Sequence, residues 1–527
     1  MWRWLERWFP PEPAPAGGPA SAPERPEGEA LPRDLNAAEA LLRQMLPGAP
    51  DVIFRPVVTA GGERCLLLFI QQLADPERLE KEVLKTLQDA KLSASHLPGA
   101  VPELVRRLGE TILPSADIRP AETVDAVVHA LAGGKAALLL DGVPGAALLN
   151  YRHFPARDPS EPTTEPVIRG PKEGFTEDIR VGRALLRRRI RSADLRLESL
   201  HVGRYTQSEV LIAYVSSVVL PGLVDEVRRR LERIQIDDVL ESGYLEELIE
   251  DHPFSPFSQV QNTERPDVVA AALLEGRVAI LLDGTPSALM VPCTFFHLLQ
   301  SSEDYYERFL IMSAIRLLRY ALLLIALVLP SLYIATTTFH PEMIPTSLLI
   351  TVAAAREGIP FPAVVEAILM ELAFEALREA GIRLPQPVGQ AVSIVGALVV
   401  GEAAVQAGIV SAPMVIVVAI TGIASFTAPR YNAAIALRLL RFPLMLAAAT
   451  LGLFGVAAGI TVLALHLASL RSFGIAYFTP IMPFTLSDLK DVLFRAPHWA
   501  MRLRPRLIGR RNLVRLARGQ RPGPPAR

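Results

Sequence analysis

The feature that most constrains this chain is the segregation of its apolar residues. Between about Arg316 and Leu470 they gather into runs fit to cross a bilayer, whereas the first 300 or so positions read as an ordinary soluble mixture. Residues 320–335, flanked by Arg316 and Arg319, come near the ~20 that a hydrocarbon core requires. Residues 388–410, 414–426 and 443–467 are further candidates, so four spans are expected. The pieces 344–355 and 363–380 read as interfacial, re-entrant or bundle-buried helices, and counting both gives six spans.

Half of the residues are hydrophobic, yet 54 Lys and Arg nearly cancel 55 Asp and Glu. That balance excludes a disordered polyelectrolyte and a uniformly apolar transporter. The tail after Leu489 carries eleven Lys or Arg against one acid, Asp491, which places it in the cytoplasm. The soluble part, lacking a signal-peptide core, is expected on the same side, so the span count is even. Arg430, Arg438 and Arg441 then fall outside, a conflict that neither count removes.

The soluble half contains a duplication. Residues 131–146, LAGGKAALLLDGVPGA, are echoed by 273–288, LLEGRVAILLDGTPSA. In each, an apolar run meets Asp-Gly-x-Pro and a second apolar run, the pattern of two strands joined by a tight turn at Asp141-Gly142 and Asp283-Gly284. Upstream runs at 65–70 and 210–215 precede helices opening near Pro76 and Pro221. The expected fold is an α+β soluble amino-terminal region of two similar α/β subdomains, followed by an α-helical transmembrane bundle. Its boundaries are residues 1–9, open between an interfacial segment and a frayed end; 10–33, a Pro/Ala/Gly-rich linker; 34–160, the first subdomain; 161–192, a basic connector; 193–305, the second subdomain; 306–472, the transmembrane domain; and 473–527, a basic cytoplasmic tail. Within the connector, the Arg-rich stretch 182–191 reads as a solvated helix face pairing with nearby acids.

Enzymatic signatures are missing: no Walker A loop, GxGxxG after a strand, GxSxG elbow or HExxH occurs, so no catalytic residue is assigned. Cys65 and Cys293 lack metal-ligand or disulfide spacing and read as buried thiols, and no metal or cofactor is expected. His340 and His466 flank membrane helices and read as structural.

In the helix expected over 363–382, Glu366, Glu371, Glu375 and Glu379 include three acids spaced by four and stacked on one face. They read either as an ion path or gate, or as a solvated acidic face neutralised by Arg378 and Arg383. Gly389, Ser393, Ala397 and Gly401 make a small-residue stripe for close helix packing, as do Gly455 and Gly459. Glu402 and Gln406 lie beside the stripe in an apolar segment, where an ionisable group is a functional candidate.

Several longer motifs resemble a known family. Arg308-Phe309, 339–346 (FHPEMIPT), 356–362 (REGIPFP), 377–385 (LREAGIRLP) and 389–396 (GQAVSIVG) are similar to the A subunit of spore germinant receptors, the GerA family of spore germination proteins. In the soluble half 174–177 (GFTE), 253–257 (PFSPF), 263–267 (TERPD) and 274–278 (LEGRV) resemble it too. The departures are Ser258 in place of proline and Glu402 in place of Gln or Asp. The resemblance implies a multi-pass protein of the bacterial cell membrane and spore inner membrane, its amino-terminal region and tail on the core side, acting with a transporter-like B subunit and a lipoprotein C subunit. It also implies a ring-like homo-oligomer, in contact with lipid and not nucleic acid, that conducts or gates ions when nutrients are sensed. An accessory paralogue without nutrient sensing is the alternative; a secondary transporter, which would need inverted repeats in its membrane part, ranks lower.

Overall fold

A computed structural model describes residues 29–46, 50–71, 73–89, 101–109, 118–151, 162, 165–383, 401–509, 511–517 and 519–522. The chain divides into two compact units: Met1–Glu250 with Val260–Pro292 and Pro497–Arg527, and Asp251–Gln259 with Cys293–Ala496.

The first unit holds the duplication as two five-stranded antiparallel sheets. Strands β1 (Val52–Val58), β2 (Arg64–Ile70), β3 (Ile118–Ala121), β4 (Ala136–Leu140) and β5 (Ala146–Leu149) take the order β1-β2-β4-β5-β3. Strands β6 (Leu195–Val202), β7 (Ser208–Val215), β8 (Gln261–Thr263), β9 (Val278–Leu282) and β10 (Ala288–Val291) repeat it as β6-β7-β9-β10-β8. The expected hairpins are β4–β5 and β9–β10, with Leu139 opposite Ala146 and Leu281 opposite Ala288. Alternation along β2 separates two apolar clusters. Leu66, Leu68 and Ile70 join helices α1 (Leu35–Met45) and α3 (Val124–Ala132) on one face, while Cys65, Leu67 and Phe69 join residues 79–87 and α2 (Val101–Arg107) on the other. The first sheet is therefore covered on both faces, which explains strands apolar at almost every position.

The basic stretch is helical. Helix α4 (Ile179–Arg189) opens the second repeat as α1 opens the first, and its Ile179, Leu185 and Leu186 enter a cluster with Leu197, Leu211 and Leu281. Its arginines do pair with acids, but not on a solvated face. Arg187 holds Asp51 through two bonds of 3.1 and 3.2 Å, with both side chains almost wholly buried. Arg183 bonds Glu209, and Arg188 and Arg189 share Glu173. Because Asp51 belongs to the first repeat, the Arg187 pair ties the repeats together. Helices α5 (Leu223–Glu232), α6 (Ser242–Ile249) and α7 (Pro266–Glu275) complete the second repeat.

Described residues of the basic tail pack against that repeat. Arg504 donates to the Leu274 carbonyl at 2.6 Å, Arg511 to that of Ser216 at 2.8 Å, and Ile508 is buried.

The second unit is helical. Helix α8 (Phe309–Thr338) is longer than the span expected, starting well before Arg316. Short α9 (Thr346–Arg356) and α10 (Ala363–Arg383) follow; residues 401–406 are helical; then come α11 (Ala412–Ser425) and α12 (Tyr431–Ser469). Among the described residues only α8 and α12, each with an 18-residue stretch of mean hydropathy 2.1, are long and apolar enough to cross a membrane.

The single span expected over 443–467 is corrected by Gly452. At φ 61° and ψ −141° it leaves helical geometry and turns the chain back, so α12 is two antiparallel arms, 431–451 and 453–469. The arms lie so close that a Cβ on Gly455 would stand 2.0 Å from the Ala447 carbonyl oxygen, and one on Gly459 2.4 Å from Leu444 Cδ1. At ~1.5 Å per residue a straight helix would hold these pairs more than ~10 Å apart. Ala433 and Leu437 share a cluster with Leu467 and Leu470, so the arms begin and end side by side, while Phe339 and His340 at the far end of α8 meet Gly452 at the tip.

Candidate functional site

Helix α10 carries the row of acids, and the fold supplies a partner for each of the first three. Glu366 is buried, receives the Ser411 backbone N–H at 2.9 Å and its hydroxyl at 2.8 Å, and faces Arg356 Nε at 3.2 Å. Glu371, 1% exposed, accepts from Arg441 on the first arm of α12 and from the Thr421 hydroxyl at 3.4 Å. Half-buried Glu375 lies between Arg378 at 3.2 Å and Arg438 at 3.3 Å. Glu379 is exposed. The row thus grades from a buried end to an open end, with arginines from α9, α10 and α12 threaded between its acids.

These pairs fix helix directions. Glu366 to Ser411, Glu371 to Thr421 and Arg378 to Ser425 at 2.9 Å set α10 parallel to α11. Glu371 to Arg441 and Glu375 to Arg438 set α10 antiparallel to the first arm. Close packing reinforces the parallel pair: a Cβ on Gly422 would sit 2.6 Å from the Phe374 ring. Arg378 also stacks over Phe374 and Phe426, with its guanidinium carbon 5.2 and 4.7 Å from the centroids. A buried ion pair is costly to desolvate and, once formed, costlier to break by removing one partner. The layer therefore holds three helices in one arrangement.

Other anticipated residues lie elsewhere. Glu402 and Gln406 are exposed on the short helix 401–406 and bond each other at 3.1 Å. Gly401 is in ordinary contact with Val415, while Gly389, Ser393 and Ala397 lie outside the described residues. His466 meets the Ser255 hydroxyl at 2.9 Å, and His340 lies 3.5 Å from Glu342. Asp141 and Asp283 do more than turn the chain. The carboxylate of each accepts the first backbone N–H of its repeat's opening helix, Leu35 or Ile179, at 3.1 Å. Gly142 and Gly284 then donate to the Arg33 and Glu177 carbonyls at 2.9 and 2.8 Å. Cys65 and Cys293 are buried thiols outside any disulfide, and the Cys293 thiol donates to the Thr294 carbonyl at 3.4 Å. Among the described residues no group of three His, Cys, Asp or Glu is placed to hold a metal.

One cluster escaped the sequence reading. Asp304, wholly buried, is held by Arg316 Nε at 3.1 Å and by two bonds of 3.0 Å from Arg319, at the base of α8. Arg316 also reaches Asp491, Arg495 donates to the Tyr305 carbonyl at 3.0 Å, and Tyr320 donates to that of Val492 at 2.7 Å. The start of α8 and the segment after α12 are thereby clamped together. The only signal was a pair of arginines inside an apolar helix.

The chain is similar along most of its length to known proteins. A family model described as the Bacillus/Clostridium GerA spore germination protein matches residues 40–507. The chain is 46% identical to the uncharacterized membrane protein YfkQ of Bacillus subtilis, covering 89% of this chain and 90% of that one. It is 43% identical to spore germination protein KA of B. subtilis over 93% of this chain and 89% of the relative. With spore germination protein GerLA of Bacillus cereus the identity is 40% over 91% of this chain and 97% of the relative. A crystal structure of the N-terminal domain of the A subunit of the Bacillus megaterium spore germinant receptor GerK3 aligns with 51% of this chain and 98% of its own, at 30% identity and a TM-score of 0.41. With the family match spanning most of its length, the chain belongs to the GerA family of spore germination proteins.

Proposed function

We propose that this protein is the A subunit of a nutrient-sensing germinant receptor whose membrane body gates or conducts ions at the start of spore germination. Relatives named as spore germination proteins over about nine-tenths of the chain support the process. The gating role rests on one observation. The carboxylates of α10 are tied to arginines on neighbouring helices, so any path along them is closed by ion pairs that a helix shift would exchange. Homo-oligomerisation would repeat the layer around an axis, and the B and C subunits would bias the shift.

The topology that fits this reading has six crossings. Parallel neighbours α10 and α11 are two of these, the span expected over residues 388–410 is a third, and α8 and the two arms of α12 supply three passes more. Arg430 then starts α12 on the tail's side, which resolves the conflict in the positive-inside argument. Cysteines introduced at Glu342 and at Tyr431, with Cys65 and Cys293 replaced, are expected to label from opposite faces of the membrane; labelling from one face sinks this topology.

Reconstitution with current recording tests the channel reading. Glu371→Gln, Glu375→Gln and Glu402→Gln together are expected to alter monovalent-cation conductance, and normal conductance would remove these residues from the path. The second reading is an accessory paralogue that assembles without sensing nutrients. Loss of nutrient response in spores lacking this chain alone supports the receptor subunit; an unchanged response supports the paralogue.

A further inference from the structure

Two exposed strips of the first unit carry apolar residues among charges of opposite sign. On one, Leu240, just ahead of α6, and Tyr244 and Leu248 on it are exposed, while Ser242, Leu245 and Ile249 bury the other face of the helix. Residues 237–250 hold six acids and no Lys, Arg or His. Glu241 is engaged in capping α6, but Asp237 and Glu247 are exposed. The second strip is on the tail, where Leu513 and Val514 are exposed between exposed Arg511 and Arg515, and residues 501–517 hold six Arg and no acid. The strips stand at opposite ends of the second sheet. Ser208, which opens β7, donates to the Val239 carbonyl at 2.9 Å, and Thr285, in the β9–β10 turn, donates to Glu241 at 3.1 Å, so the acidic strip begins where β7 starts and β9 ends. Arg511 donates to Ser216, just past β7, and Arg504 to Leu274, just ahead of β9, so the basic strip lies where β7 ends and β9 starts. Between them run the eight residues of β7, ~26 Å of extended strand.

Strips so separated cannot cover each other within one chain, but they can between chains. Single exposed apolar residues are ordinary. An acidic apolar strip at one end of a body and a basic apolar strip at the other is the pattern of a heterologous contact, which passes from copy to copy and closes into a ring where the rotation allows. Anionic lipid would accept the basic strip and repel the acidic one, so a lipid surface accounts for only half of the pattern. We infer that Leu513 and Val514 of one copy dock on the α6 strip of the next, with Arg511 and Arg515 facing Asp237 and Glu247. Inside their own copy Arg511 is oriented by the Ser216 carbonyl and Arg515 by Glu275 at 3.6 Å. The contact rests on the homo-oligomer of the proposed function and gives it a head-to-tail interface.

The test uses the full chain in proteoliposomes containing anionic lipid, with Cys65 and Cys293 replaced by alanine. Leu248→Cys and Leu513→Cys in one chain are expected to cross-link through a short bismaleimide into a ladder of dimers, trimers and larger species. Neither cysteine alone should cross-link, and an equal mixture of the two single variants should stop at the dimer. Asp237→Arg with Glu247→Arg should lower the cross-linked fraction at least about five-fold, as should Arg511→Glu with Arg515→Glu. Uniting the four reversals in one chain should restore the ladder, which a misfolded tail would not. An oligomer in mild detergent whose residues 248 and 513 never cross-link overturns this interface and leaves the proposed oligomer standing, whereas a monomer at all concentrations removes both. Cross-linking of Leu513→Cys with itself, or a ladder indifferent to charge reversal, also overturns the proposal. So does a dye on Leu513→Cys that is quenched by brominated anionic lipid while no ladder forms, which makes the basic strip a lipid contact.

Discussion

Asp141 and Asp283, 142 positions apart, perform one task twice, which makes each a control for the other. Each accepts the first N–H of a helix that sequence reading did not connect to it. Alanine at either position orphans that donor, and a buried donor without a partner costs ~1–3 kcal/mol. Asp141→Ala and Asp283→Ala are expected to lower the melting temperature of the full chain by similar amounts, and a shift at one position only would mean that the repeats have diverged in how their turns act. Burial sets the alkaline behaviour of the same unit. It pushes the Cys65 thiol up to about 12, with the nearby Glu63 and Asp141 charges adding to it. Burial and then the hydrogen bond to Glu198 push the Tyr214 phenol up to about 12. Both groups are neutral in the folded state and ionise earlier when unfolded, so the unfolded state releases protons first and stability falls as pH rises from about 9–10 towards 12. Tyr214→Phe should flatten the upper part of that fall in a urea titration, and Cys65 should resist thiol reagents at pH 8 until the chain unfolds. A thiol that reacts in the native protein would contradict its burial.

The sheets were legible in the sequence because their turns repeat as Asp-Gly-x-Pro and their strands as apolar runs of matching length. The hairpin of α12 was not, because hydropathy is the same whether a helix runs on or folds back. What distinguishes the two is the sign of φ at one residue, and the visible trace was three glycines, Gly452, Gly455 and Gly459, of which only the last two were read, as packing. The Arg187–Asp51 and Glu371–Arg441 pairs were illegible for another reason: their partners are separated by 136 and 70 positions, and no local periodicity links them. Close approach supplies a test at this scale. A methyl on Gly455 meets backbone at 2.0 Å and one on Gly401 meets only Val415 at 3.5 Å. Gly455→Ala should therefore splay the arms and lose at least the ~1–3 kcal/mol of an overpacked core, whereas Gly401→Ala should leave the thermal midpoint in detergent almost unmoved. Equal tolerance at both positions would mean that the arms do not touch.

In the whole molecule the layer on α10 decides whether the helical unit is a rigid bundle or a two-state element. If Glu371 and Arg441 serve stability alone, removing either strands a buried charge at ~3–5 kcal/mol, and removing both is milder than the sum of the two. If they also latch a closed arrangement, each single substitution loosens the same contact and shifts the balance towards the open state, as does the pair. Stability and gating therefore separate in a double-mutant cycle. Glu371→Gln and Arg441→Gln should each lower the midpoint in nanodiscs, with the double variant recovering part of the loss. Resting cation leak through proteoliposomes should rise in all three and show no such recovery. Leak that tracks stability, falling back in the double variant, would make the pair a structural tie, and the gate would have to be sought at the open end of the row, around Glu375, Arg378 and Arg438.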